Sequence, residues 1–133
     1  MSGITQEIKS RLINYLLSKG IDTINASDEV RLKIKESMNG EDRTILLKIK
    51  DFETMGFGVE DDRLVKMSDI KNPTVTVVLS EDTFIQIVRG KLTFKEGFFY
   101  GDMDVIGEDW IRDYLTFNTI FEQFSYIAKE MGL

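Results

Sequence analysis

The period of the apolar residues changes twice along this chain, and that constrains its fold more than any other feature. Ile4, Ile8, Leu12, Tyr15 and Leu16 recur at helical spacing and are followed by Gly20, so residues 4–18 read as a helix that stops at the glycine. From residue 30 to residue 80 the period is two. Val30, Leu32 and Ile34 alternate with Arg31, Lys33 and Lys35; Ile45, Leu47 and Ile49 alternate next; Phe57 and Val59, then Leu64, Val65 and Met67, then Val75, Val77 and Leu79 follow. Asn39-Gly40, Asp61-Asp62 and Asn72-Pro73 supply turns between these runs. The pattern predicts antiparallel strands joined by short turns, with one apolar face to be covered.

After residue 80 the helical period returns. Ser80 can cap a helix whose first turn carries Glu81 and Asp82, and Gly90 ends it. Thr93-Phe94-Lys95-Glu96 has capping-box spacing, which starts a second short helix that Gly101 ends. Gly97 lies inside that helix at a cost of up to ~1 kcal/mol relative to alanine, which marks a close packing contact. Met103 and Val105 alternate with Asp102 and Asp104 as one more strand, residues 102–106, and residues 109–131 form a last helix. The elements make a single α+β domain over residues 1–133, with the sheet-forming region at 30–80 and helices at 81–100.

The residues absent from the chain exclude much chemistry. There is no cysteine and no histidine, so disulfides, thiolate sites and Ser-His-Asp or Cys-His catalysis cannot be assembled from it. No cofactor is implied, because the G-x-G-x-x-G and Walker spacings do not occur. No metal site is implied either: Glu41-Asp42, Asp61-Asp62, Glu81-Asp82 and Glu108-Asp109 fall at turns and helix starts, where acids are favoured for local reasons. Ser80 reads as a cap rather than a nucleophile, and Arg89 and Lys91 as complements to a helix C-terminus. A net charge of -6 makes nucleic acid and anionic membranes poor partners, leaving at most transient membrane contact. With no apolar run long enough to span a bilayer and no leader pattern, the expected location is cytoplasmic.

Eleven of the fourteen aromatic residues lie after residue 80, so the second part of the chain carries far more apolar bulk than one helix contact requires. Trp110, Tyr114, Phe117, Phe121, Phe124 and Met131 share one face of the last helix. Three destinations fit this surface: an ordinary core, an internal cavity that holds an apolar ligand, or a partner surface such as a homodimer seam through the C-terminal helix. Periodicity does not separate them.

Residues 74–107 resemble the sterol carrier protein type-2 domain family. The resemblance rests on Thr74-Val75-Thr76-Val77-Val78-Leu79-Ser80, Glu81-Asp82-Thr83-Phe84, Gly90-Lys91-Leu92, Gly97-Phe98-Phe99-Tyr100-Gly101 and Met103-Asp104-Val105-Ile106-Gly107. These match the family pattern G-K-[LM]-x-P-x-x-A-F-x-x-G-x-[LM]-x-[IV]-x-G in every spacing, with Phe94 in place of the proline and Gly97 in place of the alanine. The resemblance implies a twisted five-stranded, mainly antiparallel sheet with helices on one face. It also implies a non-catalytic carrier that takes a fatty acid, acyl-CoA, sterol or phospholipid into a hydrophobic tunnel between sheet and helices. On that basis Phe84, Ile87, Val88, Leu92, Phe98, Phe99, Met103 and Val105 are expected to line the tunnel. The helical periodicity adds Trp110, Tyr114, Phe117 and Phe121 on a C-terminal lid, residues 109–131. The alternative is a protein-interaction or homodimerisation module with a filled core.

Overall fold

A computed structural model describes residues 2–39, 41–51, 54–60 and 63–132 of the chain, with side chains from Glu7 onward. The elements run α1 (Ser2–Asn25), α2 (Asp28–Met38), β1 (Arg43–Ile49), β2 (Thr54–Glu60), β3 (Arg63–Met67), β4 (Val75–Leu79), α3 (Glu81–Val88), α4 (Phe94–Phe99), β5 (Met103–Gly107) and α5 (Trp110–Glu130). The strands form one open sheet in the order β3-β2-β1-β4-β5. Three pairings are antiparallel, and β1 with β4 is parallel, with Ile45 opposite Val75 and Ile49 opposite Leu79. The fold is α+β with a mixed sheet.

The parallel pair corrects the expectation of a purely antiparallel meander through residues 30–80. Parallel neighbours need a long return connection. Here β2, β3 and the segment 68–74 supply it. That segment lies against the sheet face opposite the helices. A Cβ on Gly56 would sit 2.6 Å from Ile70 Cδ1, and one on Gly58 2.8 Å from the Met67 side chain, so the absence of side chains on β2 lets the return pass close.

Burial alternates along β1 and β4. Ile45, Leu47 and Ile49 of β1, Val75, Val77 and Leu79 of β4, and Met103 of β5 point toward the helices and are nearly inaccessible. Leu16, Leu17, Ile21 and Ile24 of α1 cover them together with Phe117, Ile120, Phe121, Phe124 and Ile127 of α5. Each such side chain contributes roughly 1.5–3 kcal/mol of transfer free energy.

Two element assignments differ from the sequence reading. Residues 30–35 are helix, not strand. Ser27 caps α2 by accepting from the Val30 N–H at 3.3 Å, Asp28 and Glu29 occupy the first turn, and Asn39 closes the helix in the left-handed region. Val30, Ile34 and Met38 also stand four apart. Ile34 and Met38 are buried whereas Leu32 is 56% exposed, so the period that governs is the helical one. Gly20 does not stop α1, which continues to Asn25. Instead it faces α5, where a Cβ would meet the Phe124 ring at 3.5 Å. Asn25 then ties the helix end to β3, donating to the Leu64 carbonyl at 2.8 Å and accepting from the Leu64 N–H at 2.9 Å. The turns expected at Gly40 and at Asp61-Asp62 fall outside the described residues, as does the Ile4 side chain.

Around Gly20 the spacing is ordinary van der Waals contact, and a helix-interior glycine costs up to about 1 kcal/mol. Gly20→Ala is therefore expected to raise the unfolding free energy by about 0.5–1 kcal/mol in urea denaturation. A fall of that size would show that α5 needs the bare backbone at this point.

Candidate functional site

The Ser80 hydroxyl accepts from the Thr83 N–H at 3.0 Å, and this cap sets the start of α3. From there α3 runs beside α1, and the two helices wall an apolar groove of about 390 Å³. Leu12, Ile13 and Leu16 form one wall; Phe84, Ile85 and Val88 form the other. Charged groups mark its ends. Lys9 Nζ donates to Glu81 Oε1 at 2.5 Å across one end, and Arg89, at the C-terminus of α3, lies at the other. The Lys9–Glu81 bridge is part-exposed, so it contributes no more than about 1 kcal/mol and can open.

The expected tunnel residues separate into several environments. Phe84 and Val88 line the groove. Ile87, Leu92 and Phe121, with Phe94, line a smaller cavity of about 190 Å³ among α3, α4 and α5. Phe117 and Phe121 are core residues: Phe94 stacks on them at 5.5 and 5.2 Å, Tyr114 tilts against Phe94 at 5.8 Å, and Phe84 meets Phe121 and Phe124 edge-on at 6.3 and 5.9 Å. These rings pack against one another among α3, α4 and α5. Met103 lies beneath Gly97, where a Cβ would meet its methyl at 2.8 Å; the glycine thus marks the close contact expected of it. Val105, Phe98 and Trp110 are half-buried at the core margin, whereas Phe99 is 71% exposed and faces neither cavity. The Thr93–Glu96 capping box forms in both directions, at 3.0 Å each way.

Sequence reasoning placed Leu12 and Leu16 on an apolar helix face, but the pattern of one helix does not say which residues face another. The α1 wall was therefore missed. So was the one buried ion pair in the described core, Arg43 with Asp113. Arg43 Nη2 donates to Asp113 Oδ2 at 2.7 Å and Nε to Oδ1 at 3.2 Å, and Nη2 also reaches the Glu108 carbonyl at 3.0 Å. The pair joins β1 to the first turn of α5. A signal was present: Arg43 has the parity of Ile45, Leu47 and Ile49, and Asp113 stands one turn from Phe117. Burial pushes the Asp113 carboxyl above the usual carboxylate range, and the hydrogen bond from Arg43 recovers part of that cost. The same hydrogen bond holds the Arg43 guanidinium above its ordinary value. Loss of hydration governs the carboxylate and pairing governs the guanidinium. Among the described residues no cluster of acids could hold a metal ion, and no helix is long and apolar enough to cross a membrane.

No family model and no curated protein sequence matches the chain. Solved structures do. One is the "UbiJ-SCP2" ubiquinone synthesis protein, at 12% identity and TM-score 0.56 over 87% of this chain and 93% of that one. Another is apo sterol carrier protein 2 from Yarrowia lipolytica, at 20% identity and TM-score 0.52 over 88% and 92%. A further crystal structure of sterol carrier protein 2 gives 8% identity and TM-score 0.56 over 87% and 95%. At such identities the likeness is one of fold. This chain has the sterol carrier protein 2 fold, as residues 74–107 led one to expect.

Three outcomes follow for the buried groups. Asp113→Ala strands a buried guanidinium and is expected to cost about 3–5 kcal/mol, whereas Arg43→Met with Asp113→Leu is expected to be close to neutral in the same denaturation assay. Phe121→Ala is expected to cost about 3–5 kcal/mol, as for any large buried ring.

Proposed function

We propose that the chain binds and carries a lipid or other apolar ligand without catalysis, as a carrier of the cytoplasm, and that the α1–α3 groove receives the ligand. The observation that carries this reading is the groove itself. Six apolar side chains face one another across it, and at about 390 Å³ it falls at the lower end of the range for small-molecule sites. The fold supports the same reading, since two of the matching structures bear the name sterol carrier protein 2.

No reactive group is needed for carriage. Moving a 16-carbon chain out of water is worth roughly 12 kcal/mol at ~0.8 kcal/mol per methylene. Ordering ligand and groove returns several kcal/mol of that. Against a bilayer the apolar gain nearly cancels, so the ligand can leave again. A strong polar anchor would hinder release, and in the groove Lys9 is already engaged by Glu81. We infer that a longer ligand parts α3 from α5 and reaches the smaller cavity at Ile87, Leu92 and Phe121, which the groove adjoins through α3.

Titration with a fluorescent fatty acid tests the reading. Ile85→Trp or Leu12→Trp places a ring in the groove and is expected to weaken binding about tenfold or more. Phe99→Ala, away from the groove, is expected to leave it unchanged. Affinity indifferent to the groove substitutions, or no binding by the unaltered protein, would overturn the proposal.

A further inference from the structure

The C-terminal turn of α4, strand β5 and the first turn of α5 form one end of the molecule, and it carries apolar bulk that the fold does not use. Phe99, Tyr100 and Ile111 are 71%, 68% and 73% exposed, and Ile106 is 60% exposed. Ring contacts link Phe99 to Trp110 through Phe98. Phe98 meets Phe99 edge-on at 5.6 Å and lies against Trp110 at 4.8 Å, and Ile111 follows Trp110 on α5. β5 is the edge strand of the sheet, so this surface borders an edge that no further strand covers in the described fold.

The charge around these side chains is predominantly negative. Residues 98–111 contain Asp102, Asp104, Glu108 and Asp109 and no basic residue, and all four acids are exposed. The next base, Arg112, is engaged by Glu41 at 2.5 Å and by Asp109 at 3.7 Å. Lys95, one turn before Phe99 on α4, leaves the balance strongly negative.

We propose that this surface docks a partner protein through a basic segment bearing apolar anchors. Exposed aromatic side chains are the usual anchors of such contacts, and a rim of one sign selects a partner of the other. A second copy fits poorly, because a two-fold contact would bring the four acids against their own copies. An anionic leaflet is repelled for the same reason. The surface is distinct from the α1–α3 groove, and its test is independent of ligand binding.

The probe is an amphipathic Lys/Leu helical peptide, read by the fluorescence of Trp110, the single tryptophan. Binding is expected to weaken as salt is raised from about 50 to 300 mM, which shortens the screening length. Asp102→Asn/Asp104→Asn/Glu108→Gln and, separately, Phe99→Ser/Ile111→Ser are each expected to weaken it about tenfold. Glu29→Gln/Glu36→Gln/Glu130→Gln removes the same charge elsewhere and is expected to change it less than about twofold. All these side chains are exposed, and circular dichroism checks that the variants fold. Equal loss in the control variant, or no loss in Phe99→Ser/Ile111→Ser, would overturn the proposal. So would binding of phosphatidylglycerol vesicles or concentration-dependent dimerisation that depends on Phe99, which would assign the surface to a membrane or to a second copy.

Discussion

The apolar face of α5 is the contact on which the other elements depend. Phe117, Phe121 and Phe124 meet Phe84 of α3 and Phe94 of α4, while α1 and α2 pack along the same helix. The sheet alone could not bury Ile45, Leu47, Val75 and Val77; it needs a second layer, and α5 is the member of that layer that every other helix touches. The Arg43–Asp113 pair orients this helix. An apolar contact tolerates sliding by part of a turn, whereas a guanidinium held by two carboxylate oxygens and a main-chain carbonyl does not.

This arrangement bears on where a guest can go. The greasiest part of the molecule packs ring on ring, with centroids 5.2–6.3 Å apart, beside the smaller cavity that Phe94 and Phe121 line. Aromatic excess alone therefore did not mark the groove. The apolar groove lies instead between α1 and α3, where the part-exposed bridge from Lys9 to Glu81 crosses one end. In the carriage proposed above, the lightly tied flank would yield to the ligand while the hub holds the sheet.

Much of the fold was legible because local physics and tertiary demand agreed. The Ser80 cap, the Thr93–Glu96 box, the period-two runs of β1, β2 and β4, and the α4–β5–α5 passage all formed where the spacing placed them. The misreadings have definite causes. In residues 30–38 both periods fit the same letters, and burial of Ile34 and Met38 against α5 decided for the helix. Gly20 carries the same signal whether it ends a helix or admits a neighbouring ring. Phe84 and Val88 share the groove with side chains of α1 that stand some seventy residues away in sequence, and the motif that contains Phe99 says nothing about its exposure.

By itself the sequence determined the element types over most of the chain, the absence of histidine and cysteine chemistry, and an apolar surplus concentrated after residue 80, because each follows from residue identity and short-range spacing. Only the tertiary structure decided that β1 and β4 run parallel, that an arginine and an aspartate share the core, and that the surplus divides into a packed hub, a groove wall and an exposed patch. Those outcomes depend on which distant surfaces meet, and periodicity within one segment carries no information about the segment it will face.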